Sequence, residues 1–193
     1  MPGAKVAPRR TFHVMIALAD SEGGTMSRKG KAFLDLDGTL IYYRHAYNHA
    51  KWKCGLIISR ALGVYSPEPQ MVLKLQQDID VGRMRESGFR TDRFPTSWVL
   101  TYTALAIKFG QTIDPRVCQR LLTVAGRSKD GPFCPFDGAM EILEWMGPHY
   151  ERILITSGDK VLQNEKIERV GSRLYLDDVY ITGLGDDPVV TYP

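Results

Sequence analysis

The hydrophobic and polar positions of this chain change pattern twice along its length. Ala32 to Leu36 is a short apolar run, interrupted by one acid and followed by a second acid and Gly38. An apolar run of this length without helix breakers is typical of a buried strand. After it, apolar positions recur at helical spacing until about Pro135, and from there helix and strand patterns alternate.

Four helical stretches follow the first strand, with no strand pattern between them. The first ends at Gly63, a residue suited to the left-handed turn after a helix. For the second we expect Ser66 as the N-cap and Pro67 as the first helical residue. Asp114 and Pro115 begin the fourth in the same manner. Helices connected in this way predict a small helical bundle.

The last third of the chain has a helix–strand rhythm. The segments "DGAMEILEWMG" and "KVLQNEKIERVG" have helical patterns, and they are followed by the strand patterns "RILITSGD" and "DVYITG". This alternation indicates βαβ units and a parallel sheet. We therefore predict a Rossmann-like α/β core, formed by residues 32–41 and 136–193, with an all-helical cap at residues 42–135 inserted after the first strand. Residues 1–31 are expected to be a flexible basic extension.

Positive charge is concentrated at the N-terminus. The net charge is +3, and residues 1–31 carry six basic side chains against two acidic ones, so the rest of the chain is close to neutral. A nucleic-acid partner is therefore not indicated, because nucleic-acid-binding surfaces are strongly basic. No apolar stretch approaches the roughly 20 residues that cross a bilayer, so we expect no membrane partner either.

The cysteines and the N-terminal residues bear on the cellular compartment. Cys54, Cys118 and Cys134 are odd in number and form no C-x-x-C pair, which favours a reducing cytoplasm over a disulfide framework or a zinc site. The stretch "RRTFHVMIALADSEGG" weakly resembles a twin-arginine export signal, but its apolar run is very short. Cytoplasmic localisation is therefore the prediction.

Asp35 and Asp37 are the first candidates for chemistry. Residues two apart in a strand point the same way, and the carboxyl end of a parallel strand borders the crevice in which α/β proteins bind ligands. Two carboxylates this close repel each other, and Mg²⁺ relieves the repulsion because it prefers oxygen ligands. Asp35 could then attack a phosphorus atom while Asp37 transfers protons. Gly38 would let the backbone turn tightly and direct N–H groups at the phosphate.

The stretch "DLDGTL" after an apolar strand resembles motif I of the haloacid dehalogenase superfamily, in its phosphatase branch. By itself it could also be a strand followed by an acidic turn, in which Asp-Gly is common. The resemblance implies that Asp35 is the nucleophile, that Asp37 is the general acid and base, and that both help to bind Mg²⁺. It also implies that the helical insertion is a C1-type cap that closes over the site.

Two further motifs of this family are matched in order. The second is a Ser or Thr at the end of the next core strand, for which Thr156 fits better than the neighbouring Ser157. The third is a Lys on the following helix, and Lys166, directly before "IER", fits better than Lys160. The resemblance implies that Thr156 and Lys166 bind the phosphoryl group, together with the backbone at Gly38.

The fourth motif, one or two acids that complete the metal site, is the point of departure from the family. Asp186 and Asp187 in "GLGDDP" agree in letters but not in position. Asp177 and Asp178 come too soon after the lysine and are better interpreted as the lead into the third strand. We therefore expect this motif, with the last part of the family core, to be missing from the 193 residues.

The resemblance implies a Mg²⁺-dependent phosphatase that acts on a small phosphorylated metabolite through an aspartyl phosphate. A sugar phosphomutase and a catalytically impaired or inactive remnant with a binding role are the alternatives, and a dehalogenase is disfavoured because its relatives generally lack the second Asp. Arg85, Arg90 and Arg93 could meet an anionic substrate or form a solvated loop. His45 and His49 have zinc-ligand spacing without a third ligand, so we interpret them as core or surface histidines.

Overall fold

The computed structural model describes residues 30–183 and combines a parallel sheet with a helical insertion. The elements follow in this order: β1 (Gly30–Leu34), β2 (Ile41–Tyr42), α1 (Arg44–Leu62), α2 (Pro69–Ser87), α3 (Arg93–Lys108), α4 (Pro115–Gly126), β3 (Cys134–Pro135), α5 (Ala139–Met146), β4 (Tyr150–Ser157), α6 (Lys160–Arg169) and β5 (Asp178–Thr182). The parallel sheet has the strand order β1–β4–β5. The predicted α/β fold, with an all-helical insertion after its first strand, is confirmed.

The central strand of the sheet, β4, lies at the centre of one hydrophobic cluster. Leu34 of β1 pairs in register with Leu154 of β4, and both side chains are buried. Leu143 of α5 and Ile167 of α6 pack into the same cluster, so helices cover the sheet. Parallel strands buried in this way read as continuous apolar runs, which is the pattern that the sequence shows in "RILIT".

Helices α1–α4, which we call the cap helices, have a hydrophobic cluster of their own. Trp98 of α3 is fully buried in it, together with Cys54 of α1 and Leu121 of α4. The buried amide of Gln76 on α2 donates a 2.8 Å hydrogen bond to the hydroxyl of Ser97, which satisfies part of the polarity inside this cluster. Within residues 30–183, none of the helices has the combined length and apolarity required of a membrane span.

A two-stranded antiparallel ribbon joins the cap helices to the sheet. Ile41 of β2 pairs with Pro135 of β3, and Tyr42 pairs with Cys134. The chain leaves the sheet through β2 and returns to it through β3, so the two ends of the helical insertion are adjacent. The ribbon therefore holds α1 beside the carboxyl edge of the sheet.

Three predicted boundaries differ from the observed ones: the end of the first strand, the end of the N-terminal extension and the start of α2. The first strand ends at Leu34 rather than at Leu36, because Leu36 already belongs to the following turn. Residues 30 and 31 belong to β1, so the flexible extension predicted for 1–31 cannot include them; residues 1–29 lie outside the described part of the chain.

The start of α2 was also predicted wrongly. Pro69, rather than Pro67, is the first helical residue, and Glu68 rather than Ser66 precedes it. The hydroxyl of Ser66 instead shares a 2.7 Å hydrogen bond with the hydroxyl of Ser59 at the end of α1. A residue before proline avoids the helical conformation, so the second of two closely spaced prolines decides where the helix begins.

Leu154 offers a direct test of the core. Truncation of this fully buried side chain in the Leu154→Ala variant should lower the free energy of unfolding by about 2–5 kcal/mol, because it leaves a cavity in the central strand. The matched control is Leu174→Ala, at a leucine that is 87% exposed. Urea denaturation followed by circular dichroism should place the midpoint of the control near that of the parent chain. Equal losses in the two variants would contradict the assigned core.

Candidate active site

Polar side chains gather at the carboxyl edge of the parallel sheet. Asp35 directly follows β1, and Thr156 lies near the end of β4. Because Leu34 and Leu154 are in register, the two strands reach this edge together. The sequence prediction that Asp35 and Thr156 both lie at this edge is therefore consistent with the fold. Their environments differ, because Thr156 is buried and Asp35 is exposed.

The turn after β1 is shaped by Gly38. The N–H groups of Leu40 and Ile41 both donate to the carbonyl of Leu36, and the N–H of Gly38 donates to the carbonyl of Ile41. Gly38 has a φ of +89°, a backbone conformation that other residues adopt at a cost. The turn therefore brings Asp37 back towards the sheet rather than out into solvent.

A buried ion pair connects this turn to α6. The ammonium of Lys166 donates to both carboxylate oxygens of Asp37, at 2.9 Å to Oδ1 and 2.7 Å to Oδ2. The Lys166 side chain is only 4% exposed, against 21% for Asp37. Its ammonium also lies 5.1 Å from the ring centre of Tyr43 and 5.7 Å from that of Phe133, distances at which aromatic faces attract cations. The carboxylate and the two rings replace the water that the ammonium loses.

Gln163 extends the pair into a network, and it was not among the predicted site residues. Its amide nitrogen lies 3.0 Å from Asp37 Oδ2, 2.8 Å from Thr156 Oγ1 and 3.1 Å from the carbonyl oxygen of Ser157. Its own oxygen is buried without a hydrogen-bond partner in the described part of the chain. Gln163 lies three residues before Lys166, so both project from the same face of α6. That spacing was the available signal in the sequence.

Asp159 determines where α6 begins. Its carboxylate accepts hydrogen bonds from the N–H groups of Val161 and Leu162, both at 3.1 Å, as an N-cap residue does. The cap fixes the residue at which the helix begins, and Gln163 and Lys166 follow about one and two turns later. The segment "SGDK" thus serves the site by positioning the helix that follows it.

Asp35 has an environment different from that of Asp37. The hydroxyl of Thr39 donates a 3.0 Å hydrogen bond to Asp35 Oδ2. Partial loss of solvent around the carboxyl raises the pKa of Asp35 above its ordinary value, while the Thr39 hydroxyl, the backbone of Leu36 and the Lys166 ammonium lower it and Asp37 raises it. Asp35 is therefore within electrostatic range of the ion pair without belonging to the hydrogen-bond network.

A cavity of about 600 Å³ lies between this network and the cap helices. The core contributes Asp37, Gln163 and Lys166 to its lining, together with the segment 157–159. The cap contributes α1, the start of α3 and the turn at residues 126–129. Asp35 and Thr156 stand outside the lining, beside it at the sheet edge.

The oxygen groups at this edge fit a hard cation in their chemistry. Asp35 supplies an exposed carboxylate and Asp37 a neighbouring backbone carbonyl, and Mg²⁺ usually takes one or two carboxylates together with water and substrate phosphate. Among residues 30–183, no group of three acidic, histidine or cysteine side chains is arranged to enclose a metal. His45 and His49, interpreted from the sequence as core or surface histidines, are exposed and stacked with ring centres 6.3 Å apart, so they lie at the surface.

The remaining predicted candidates have separate outcomes. Asp177 forms an ion pair with Arg152 at 3.0 Å, and Asp178 begins β5, so the interpretation of this stretch as a lead into the third strand is confirmed. Asp186 and Asp187 lie outside the described residues.

The predicted basic cluster is only partly at the site. Arg90 and Arg93 line the cavity, but Arg90 is paired with Asp92 and Arg93 with Asp80. Arg85, in the last turn of α2, is not among the lining residues.

Comparison with solved structures agrees with this architecture. The chain superposes on a haloacid dehalogenase-like family hydrolase from Xanthomonas campestris with a TM-score of 0.63 and 19% sequence identity, covering 87% of this chain and 66% of that one. An L-2-haloacid dehalogenase from Xanthobacter autotrophicus matches with a TM-score of 0.40 and 14% identity, over 77% of this chain and 55% of that one. A protein from Haemophilus somnus described as a predicted phosphoglycolate phosphatase matches with a TM-score of 0.40 and 15% identity, over 82% and 64%.

These comparisons bear on the fold and not on the substrate. No protein-family model matches the chain, and no curated protein sequence matches it either. The chain spans between 55% and 66% of the length of the three structures above. Of these three structures, the one from Xanthomonas campestris has the highest TM-score, and its superposition extends over 87% of this chain. The chain therefore has the fold of the haloacid dehalogenase-like hydrolases.

Proposed function

We propose that this protein hydrolyses small phosphomonoesters with the help of Mg²⁺, through an aspartyl phosphate on Asp35. The observation that carries the proposal is the network beside Asp35. Gln163 joins Asp37, 126 residues away in the chain, to Thr156 near the end of β4, and Lys166 pairs with the same aspartate. The network thus places a cation and a hydroxyl donor, which suit phosphoryl oxygens, near two carboxylates that could act as nucleophile and as acid and base.

Binding of the phosphoryl group falls to the buried members of the network. The Lys166 ammonium and the Thr156 hydroxyl would each donate to a phosphoryl oxygen, and charge-assisted hydrogen bonds of this kind are among the strongest in proteins. Both donors are buried, so they gain little from water and more from the substrate. Mg²⁺, held by oxygens of Asp35 and Asp37, would neutralise the charge of the phosphate and lower its repulsion of the nucleophile.

The chemical steps use the two carboxylates in turn. When the substrate phosphate takes over the Lys166 ammonium, the Asp37 carboxylate is released from its ion pair and takes up a proton from water. An oxygen of Asp35 then attacks phosphorus, the phosphorus–oxygen bond to the alcohol breaks, and the protonated Asp37 gives its proton to the departing oxygen. In the second step Asp37 takes a proton from water as that water attacks the phosphorus of the aspartyl phosphate. Inorganic phosphate leaves, Asp35 is again a carboxylate, and Asp37 is protonated for the next cycle.

The cap helices would control the access of water to the sheet edge. Movement of the cap towards the sheet edge would exclude water while the first step occurs, which protects the aspartyl phosphate from early hydrolysis. The protein has free thiols at Cys54, Cys118 and Cys134, as is usual in a reducing compartment such as the cytoplasm. The substrate in this proposal is a small phosphorylated metabolite of that compartment.

Hydrolysis of p-nitrophenyl phosphate with Mg²⁺ tests the nucleophile. The Asp35→Asn variant should lose activity by a factor on the order of 10³ or more, because an amide does not form the acyl phosphate. Asp78→Asn is the control, since Asp78 forms an exposed ion pair with Lys74 on α2 and should change little. Activity that survives in Asp35→Asn would overturn the assignment. A folded parent chain without activity would instead favour the binding protein as the alternative.

Replacement of Lys166 tests the network. Lys166→Met should lower kcat/KM by a factor on the order of 10², because the phosphoryl group loses a buried cation. It should also lower the free energy of unfolding by about 2 kcal/mol, because the Asp37 carboxylate is left without its partner. Lys53→Met, at an exposed lysine of α1, provides the control for both measurements. An active and equally stable Lys166→Met variant would be incompatible with the proposed role.

The titration of Asp35 in the metal-free protein provides a third test. The pKa of Asp35 should lie above 3.8, and Thr39→Ala should raise it further, because the ionised carboxylate loses a hydrogen-bond donor. At a given pH near this value, the variant therefore has a smaller ionised fraction. Thr39→Ser retains the hydroxyl and should titrate like the parent chain. Carboxyl-carbon NMR of labelled aspartate measures all three, and a lower pKa in Thr39→Ala would refute the assigned hydrogen bond.

A further inference from the structure

The cavity between the cap helices and the sheet edge carries more positive charge than a phosphoryl group requires. Its basic lining residues outnumber its acidic ones: Arg44, Lys51, Arg90, Arg93, Lys129 and Lys166, against Asp37 and Asp159. Three of these cations have aspartate partners, as described above. Arg44, Lys51 and Lys129 have no carboxylate partner anywhere in residues 30–183.

Two of these three cations lie on one face of α1. Arg44, Tyr47, Asn48 and Lys51 line the cavity and are spaced as i, i+3, i+4 and i+7, which places them along a single stripe. The other side of the helix is fixed by packing, since Cys54 is fully buried in the cap cluster. The stripe is therefore held towards the cavity by the fold of the cap.

The electrostatics of α1 make the positive stripe more unusual. The first turn of α1 contains no acidic residue, and no side chain caps its N-terminus. A helix N-terminus carries partial positive charge and normally attracts acids rather than the arginine found at this position, Arg44. Unpaired cations in a cleft raise the local concentration of anions, so the arrangement favours a negatively charged ligand.

The stripe also has a direction relative to the proposed phosphoryl site. Tyr43, immediately before α1, has its ring centre 5.1 Å from the Lys166 ammonium, so α1 begins beside the network. Lys51 lies seven residues beyond Arg44, a rise of about 10 Å along the helix axis. The stripe therefore leads away from the end of α1 that lies beside Lys166.

We infer that the substrate is a phosphomonoester with a second anionic group, a carboxylate or a second phosphate, which the stripe of Arg44 and Lys51 on α1 binds on the cap side of the cavity. The phosphoryl end of this inference rests on the function proposed above. The cavity volume of about 600 Å³ exceeds what a phosphate ion needs and is in the range of sites for metabolite-sized ligands. Arg90 and Arg93 line the cavity, but each is paired with an aspartate, so we do not assign them to the second anion.

Three synthetic substrates with the same six-carbon chain test the inference: hexyl phosphate, 6-phosphooxyhexanoate and hexane-1,6-diol bisphosphate. Phosphate release with Mg²⁺ at low ionic strength should show a kcat/KM about tenfold or more higher for at least one of the two doubly anionic esters than for hexyl phosphate, with the two phosphates of the bisphosphate taken into account. The difference should lie mainly in KM. Which of the two is preferred identifies the second group as a carboxylate or a phosphate.

Substitutions on α1 then locate the second anion. Lys51→Met and Arg44→Met should each bring the preference for the doubly anionic ester down towards one, and added salt should do the same in the parent chain. Lys53→Met removes an exposed lysine from the same helix without touching the cavity, so it should retain the preference. A preference that survives in both cavity variants, or that is lost in Lys53→Met as well, would overturn the inference.

A binding measurement separates this inference from the proposed function. Calorimetric titration of hexane-1,6-diol bisphosphate into the Asp35→Asn variant requires no turnover. Adding Lys51→Met to that variant should weaken the affinity about tenfold, while hexyl phosphate should be affected much less. Equal hydrolysis of all three esters by the parent chain refutes the second anion site and leaves the phosphatase intact. Lysine-dependent binding without hydrolysis refutes the phosphatase and leaves the anion site intact.

Discussion

The ion pair between Lys166 and Asp37 is the interaction on which the arrangement of the sheet edge depends. A lysine that is 4% exposed has lost most of its hydration, and an ammonium in that position is costly unless other groups replace the water. Both oxygens of Asp37 and the faces of Tyr43 and Phe133 fill that role. These groups come from the turn after β1, from the start of α1 and from the chain just before β3. Satisfying one charge thus requires the sheet, the ribbon and α6 to be in place at once.

The same requirement explains which parts of the architecture could be predicted. The strand and helix order follows from local patterns, such as the apolar run "RILIT" and the Asp114–Pro115 start of α4, and these elements lie where expected. Asp37 could be singled out from the residues themselves, as the second acid after an apolar strand, whereas Thr156 and Lys166 were named by their match to the motifs of the family that the chain resembles. Their meeting is a tertiary property, and it was predicted only through the resemblance to a family.

Gln163 shows where prediction from the sequence ends. A glutamine within a polar helix gives no local sign that it is buried, and only the packing of α6 against the sheet, through Ile167, places it beside Thr156. The basic residues of the cap show the same limit. Arg90 and Arg93 attracted attention because they cluster in sequence, yet each is matched by an aspartate. Arg44 and Lys51, seven residues apart and unremarkable in sequence, are two of the three cavity cations that have no carboxylate partner within residues 30–183.

The ribbon of β2 and β3 has a further consequence for how this fold can change. Because Ile41 and Pro135 are directly paired, the helical insertion begins and ends at one place, and it contacts the Lys166–Asp37 pair through Tyr43 and Phe133 at its two ends. The entropy of closing an inserted segment grows only with the logarithm of its length, so a larger or smaller insertion alters the stability of the sheet very little. The groups proposed to react and the groups proposed to select the substrate therefore reside in separable parts of the chain. Under that proposal, substitution, expansion or exchange of the insertion would redirect the protein to a new substrate while Asp35, Asp37, Thr156 and Lys166 stay in position.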